Sequence, residues 1–315
     1  MQTVMHISEG NSPAVRSSSP NLSRVAFVLL AAFFCIGRAL SAQPASPQIA
    51  YFNHAYAVID AETAAAIAHS DYLKTFGVFS IHTTHADGGA TWTGRYLNGR
   101  QTYLELFGPT DFQDAKPGAT GLALTPDRAG GIEIFAVRLV QAGIANPDKQ
   151  ERTRQFGDNP VPWFKYLSLH GDGETLSIWA MEYVPSYFAD PRSEKRPAEF
   201  PGDVSRKRYN SNNYFQHLMR DVSSVDVATT AHDIAMARSM FVAAGFKVTQ
   251  TPQRLTASDH EIAINLDVVP LGQAGLRRIG FKLNTPMASA HVERIGQSTL
   301  TVGPGDSASW VFQLR

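Results

Sequence analysis

Three stretches of the chain share one hydrophobic rhythm. Phe52–Asp60 (FNHAYAVID), Thr120–Asp127 (TGLALTPD) and Ser223–Thr230 (SSVDVATT) each read as a strand, and each leads into a helical pattern. After Asp60, a natural N-cap, an Ala-rich helix is expected to about Phe76, where Gly77 stops it. In the second stretch Ile132, Phe135, Ala136, Leu139 and Val140 recur at helical spacing before Gly143. In the third, Ile234, Ala237, Phe241 and Ala244 recur before Gly245, and Thr230 with Asp233 forms a near-capping box. Each unit then runs into strand-like sequence that ends at a proline: TYLELFGP (102–109), SIWAMEYVP (177–185) and IAINLDVVP (262–270). An acidic residue precedes each proline by three or four positions: Glu105, Glu182 and Asp267. The unit is therefore a strand, a helix, and two or three further strands. A fourth stretch, from LRRIGFKLN to SASWVFQL, reads as strand throughout with no helix.

This rhythm predicts an α+β protein with paired units over 50–185 and a second, diverged pair over 214–315. Residues 186–213 are rich in proline and charge with weak periodicity, and read as a linker or long surface loop. A length of 315 residues suits about two domains. The 28 basic and 28 acidic side chains cancel, which gives no support to nucleic-acid binding. The one short basic cluster, Arg206-Lys207-Arg208, reads as a solvated patch on the connection.

The amino-terminal segment 1–42 has the layout of a secretory signal peptide. Arg24 precedes the apolar run Val25–Gly37, and small residues follow in RALSAQPASPQ. The run is shorter than the roughly 20 residues of a spanning helix. Cleavage after Ser41 or Ala42, a periplasmic or secreted location and no stable membrane insertion afterwards are the expectations; an uncleaved anchor is the alternative. Cys35 is the only cysteine and lies in the removed segment, so the mature chain would have no disulfide or thiolate chemistry.

Glu105 sits in an apolar strand, where an unpaired carboxylate is expensive. Alternation puts it on one face with Tyr103 and Phe107, and puts His54 on one face with Tyr56 and Val58. The cluster Trp92, Arg95, Tyr96 and Arg100 could hold an anionic or planar ligand, although a hairpin turning at Asn98-Gly99 explains the same residues. His82 and His85 are three apart in a strand and fall on opposite faces. The chain has no serine-hydrolase elbow and no H-E-x-x-H motif.

The repeated βαβββ unit, with His54 in NHAYAVID and Glu105 in TYLELFGP, resembles the vicinal oxygen chelate superfamily, which includes glyoxalase I and extradiol dioxygenases. WTGRYLNGRQTYLELFGP looks like an uncharacterised bacterial family of exported glyoxalase-like proteins. The resemblance implies tandem βαβββ units forming cupped mixed sheets with helices on the outside. It implies a divalent metal (Zn, Fe, Ni or Mn) held by His54 and Glu105, with Glu182 or His170 as a third ligand, and Glu105 as the catalytic group. Tyr56, Trp92, Arg95, Tyr103 and Phe107 would contact a small-molecule ligand. The second-unit equivalent of His54 is Gly121 and the third-unit equivalent is about Ser224; neither suits a metal. The expectation is small-molecule binding in the cup. The alternatives are a metal-dependent lyase, isomerase or dioxygenase, and a structural or interaction protein of the cell envelope.

Overall fold

The first sheet is built from two copies of one module placed side by side. In the computed structural model, which describes residues 47–169, 173–210 and 212–313, the first module is β1 (Tyr51–Val58), α1 (Ala61–His69), α2 (Asp71–Phe76), β2 (Val78–His85), β3 (Thr91–Asn98) and β4 (Tyr103–Phe107). The second is β5 (Thr120–Thr125), α3 (Gly131–Gln141), β6 (Asp148–Phe156), β7 (Asn159–Ser168) and β8 (Leu176–Tyr183). Strand order is β2-β3-β4-β1-β5-β8-β7-β6. Within each module the first and last strands run parallel, and the modules join through the antiparallel pair β1–β5. The edge strands β2 and β6 approach each other and Ala86 bridges to Arg154, so the sheet curls into a half-barrel with a concave cup. The signal-peptide segment, Cys35 and His170 lie outside the described residues.

The second sheet repeats the plan with one helix missing. β9 (Met219–Thr229), α6 (Ala231–Ala244), β10 (Lys247–Gln250), β11 (Arg254–Ser258) and β12 (Ala263–Val268) form its helical half. β13 (Gly275–Met287), β14 (His291–Ile295), β15 (Ser298–Val302) and β16 (Gly305–Phe312) form the all-strand half. The order β10-β11-β12-β9-β13-β16-β15-β14 mirrors the first sheet.

The helices lie on the convex side of the first sheet because the strands present small and aliphatic residues there. Ala55, Ala57, Leu104, Leu106, Leu122 and Ala180 pack with Ile67, Phe135 and Leu139 of the helices. That core continues into the second sheet: α3 packs on α6, and Phe76 meets Phe281 edge-on at 5.2 Å. Caps fall where the sequence places them. Asp60 accepts from the Thr63 amide at 2.9 Å and Thr230 from the Asp233 amide at 3.3 Å. Gly245 ends α6 at φ 94°, a left-handed position, and a Cβ there would lie 2.6 Å from Gln48 Cα. The single helix expected to Phe76 is broken at Ser70, which closes α1 and caps α2 by accepting from the Leu73 amide. A serine hydroxyl competes in this way for backbone groups.

The described residues of the 186–213 connection fold back over the first sheet. Helix α4 (Pro185–Ala189) brings Tyr187 and Phe188 into a core with Trp163 and Tyr183, and α5 (Arg206–Tyr209) follows. The basic cluster here is not a solvated patch. Arg206 is buried, pairs with Asp127 and Glu261 (3.1 Å each) and donates to the Phe52 carbonyl at 2.7 Å. Lys207 pairs with Glu199, and the Arg208 guanidinium lies 4.3 Å from the Phe188 ring centre. Composition alone hid this, because the carboxylate partners lie far away in sequence.

Candidate functional site

The concave face of the first sheet is aromatic where the convex face is aliphatic. The parallel register aligns His54 with Tyr103 and Tyr56 with Glu105, and β3 adds Tyr96 beside Glu105. Alternation then delivers His54, Tyr56, Tyr103, Glu105 and Phe107 to a cavity of about 850 Å³. Trp92, Trp163, Phe164, Tyr166 and Trp179 complete its walls. A smaller chamber of about 440 Å³ adjoins it, and Trp92, Tyr103, Glu105 and Trp163 line both.

Glu105 is the one carboxylate common to the two chambers. Among the described residues none donates a hydrogen bond to it. Burial raises its pKa from 4.5 to about 8, with the Arg154 charge opposing the rise. Below that value the carboxyl is neutral and donates a hydrogen bond; above it, the group is an acceptor held in an aromatic wall. His54 is buried, stacked on Tyr103 at 4.3 Å and edge-on to Trp179 at 5.5 Å. Its Nδ1 donates to Asn53 Oδ1 at 2.9 Å, and Asn53 is itself oriented by the Tyr183 hydroxyl at 3.4 Å. Burial lowers the imidazole pKa from 6.5 to about 3, so the ring is neutral.

Two of the sequence-derived site residues lie elsewhere. Glu182 shares a strand with Trp179 and Met181 but points to the convex face. There it accepts from the Gly130 amide (3.0 Å) and the Ile132 amide (2.8 Å), closing the N-terminus of α3, whose Gly130 has no side chain to do so. Arg95 pairs in register with Leu106, not with Glu105, and forms an ion pair with Asp111 on the face away from the cup. One step of strand parity moved each residue across the sheet. Arg100 faces Asp221 between the sheets at 3.4 Å. His82 stacks on Tyr96 at 4.1 Å beside the smaller chamber, whereas His85 contacts Thr91.

The module symmetry tests whether this cup suits a metal. The β1–β5 register pairs Ala55 with Leu122, so the positions matching His54 and Tyr56 are Gly121 and Ala123. Ala123 pairs with Trp179 as Tyr56 pairs with Glu105, which makes Trp179 the counterpart of Glu105. Gly121 and Trp179 offer no metal-binding atom. The space over Gly121 holds the Tyr56 ring; a Cβ there would fall 2.0 Å from Tyr56 Cε1. Among the described residues no three His, Cys, Asp or Glu side chains converge. Among the described residues His54 and Glu105 are two donors, short of the three protein ligands a catalytic site uses, so the described residues by themselves do not fit a metal centre.

Sequence reasoning missed Trp163, Trp179, Arg154, Lys195 and Tyr209. Trp179 had a signal, because it stands two positions before Met181 in a strand whose other face carries Ile178 and Ala180. Lys195 and Tyr209 come from the folded-back segment, which carries no periodicity.

No curated protein matches the chain. Solved structures similar to it include a hypothetical protein from Staphylococcus aureus, at 12% identity and TM-score 0.47, covering 78% of this chain and 96% of that one. An extradiol ring-cleaving dioxygenase from B. fuscum is similar at 12% identity and TM-score 0.36, covering 76% and 56% respectively. A halotolerant catechol dioxygenase is similar at 10% identity and TM-score 0.34, covering 85% and 89%. A family profile matches residues 52–312, and the chain belongs to that family, the family of unknown function DUF5829.

Proposed function

We propose that this protein binds a small, partly aromatic molecule in the cup of its first sheet, with Glu105 as the polar anchor. The observation that carries this reading is the cavity of about 850 Å³ walled by tyrosine and tryptophan, with a carboxyl that no described side chain satisfies. Aromatic walls reward a flat apolar ligand, and one unsatisfied polar group fixes its orientation. At neutral pH the protonated Glu105 donates to a carbonyl or hydroxyl oxygen of that ligand. A pKa of about 8 also suits proton transfer. A structural role in the cell envelope is less well supported, since such a role leaves no reason for an open aromatic cup. Export through the amino-terminal signal, to the periplasm or outside, belongs to the same proposal.

The test is tryptophan fluorescence during titration with benzyl alcohol, since Trp92, Trp163 and Trp179 line the cavity. A saturable change that Glu105→Ala alters supports the reading. A linear, unsaturable response, equal in both proteins, overturns it.

A metal-dependent lyase, isomerase or dioxygenase is the second reading, favoured by His54 and Glu105 sharing one cavity. Elemental analysis of protein purified without chelator separates the two. One divalent ion per chain, lost in both His54→Ala and Glu105→Ala, would support the metal; the described donors predict no stoichiometric ion.

A further inference from the structure

The smaller chamber beside Glu105 is lined by three cations that the aromatic cup does not explain, Arg154, Lys195 and Arg196, the last donating to the Asn210 carbonyl at 3.5 Å. Arg154, on β6, and Lys195, in the folded-back segment, both line it. The Arg154 guanidinium donates to the Tyr187 hydroxyl at 3.3 Å and lies 5.2 Å from the Trp163 ring centre. Lys195 Nζ donates to the Tyr209 carbonyl at 2.8 Å and sits 4.0 Å from the Tyr209 ring centre. Among the described residues no carboxylate forms an ion pair with either head group. Both are therefore held by neutral partners and aromatic faces, with spare N–H groups.

Lys195 bears the cost of this arrangement, since the tyrosines around Arg154 favour its charge. Like charges brought together under partial burial repel, and desolvation and the Arg154 charge lower the Lys195 pKa from 10.5 to about 8 against the opposing charge of Glu194. Two carboxylates do line the chamber. Glu105 is mostly neutral near pH 7, and Glu194 is exposed. The indole Nε1–H of Trp163 is buried, has no hydrogen-bond partner and belongs to the wall shared with the larger cavity. Asn98 and Asn212 also line the chamber.

We propose that the smaller chamber is an anion subsite in which Arg154 and Lys195 bind the carboxylate or phosphate group of a ligand whose apolar ring occupies the larger cavity. The ligand is thus an aromatic acid or aryl phosphate that spans the two chambers past Glu105. This assignment rests on the cup being a ligand site, but the anion subsite can be tested alone. Guanidinium and ammonium groups recognise both oxyanions by charge-assisted hydrogen bonds, which are roughly twice as strong as neutral ones.

The experiment is calorimetric titration of the mature protein with inorganic phosphate, phenyl phosphate and benzyl alcohol, repeated for Arg154→Gln, Arg154→Lys and Lys195→Gln. Phenyl phosphate is expected to bind at least about tenfold more tightly than benzyl alcohol. Arg154→Gln and Lys195→Gln should each remove about tenfold of phenyl phosphate affinity while changing benzyl alcohol affinity less than about twofold. Arg154→Lys should recover part of the loss, and retained benzyl alcohol binding shows that a variant is folded. The proposal is overturned if neither phosphate compound binds, or if the preference for phenyl phosphate survives in both glutamine variants. Phosphate binding that depends on Arg154 and Lys195, without benzyl alcohol binding, would keep the anion subsite and sink the aromatic cup instead.

Discussion

Glu105 and His54 carry opposite protonation penalties. The Glu105 pKa is raised from 4.5 to about 8, so the folded state holds a proton that the unfolded state releases across that window. Its contribution is present at low pH and is lost as pH rises from about 4.5 to about 8, amounting to ~2–4 kcal/mol after allowance for water in the cavity. Glu105→Gln should therefore raise urea stability by that amount at about pH 9 and by little at about pH 5. His54 behaves in reverse. Its pKa is lowered from 6.5 to about 3, so stability present above 6.5 is lost as pH falls towards 3. His54→Phe should move the midpoint of acid unfolding to lower pH, read by circular dichroism. Gly121 is a third residue with a definite cost. A methyl group there would meet the Tyr56 ring, so Gly121→Ala should cost ~1–3 kcal/mol and weaken benzyl alcohol binding by pushing that ring into the cavity.

At the scale of elements, much was legible and the exceptions have physical causes. The helical spacing of Ile132, Phe135, Ala136 and Leu139 and the repeated acid-before-proline strands revealed the modules, because both patterns are local. The side of the sheet on which Glu182 and Arg95 fall was not legible, because one residue of register decides it. Glu182 reads as a ligand by position and acts as a cap from a neighbouring strand. Glu182→Ala should cost ~2–3 kcal/mol in urea denaturation by stranding two amides at the start of α3. It should leave benzyl alcohol affinity within about twofold of the parent. A ligand role in the cup would instead show as lost binding.

At the largest scale, the described residues form one compact unit. The two sheets share the core that runs through α3 and α6, and Arg206 ties the first sheet to Glu261 beside β12. On the second sheet Asp226, between the core residues Val225 and Val227, accepts from Asn265 and Arg278, each at 2.8 Å, where the first sheet carries aromatic side chains. The proposed ligand site is accordingly the cup of the first sheet. The shared core predicts a single cooperative urea transition for the protein. Arg206→Met should lower its midpoint, with a cost of ~2–4 kcal/mol from the carboxylates left unpaired.

The most direct measurement is a carbon-13 NMR titration of the Glu105 side-chain carboxyl, alone and saturated with benzyl alcohol. The account predicts a pKa of about 8 in the free protein and a further rise when the ligand expels water from the cup. A value near 4.5, unmoved by benzyl alcohol, would mean that Glu105 faces ordinary solvent and that the cup is not the site.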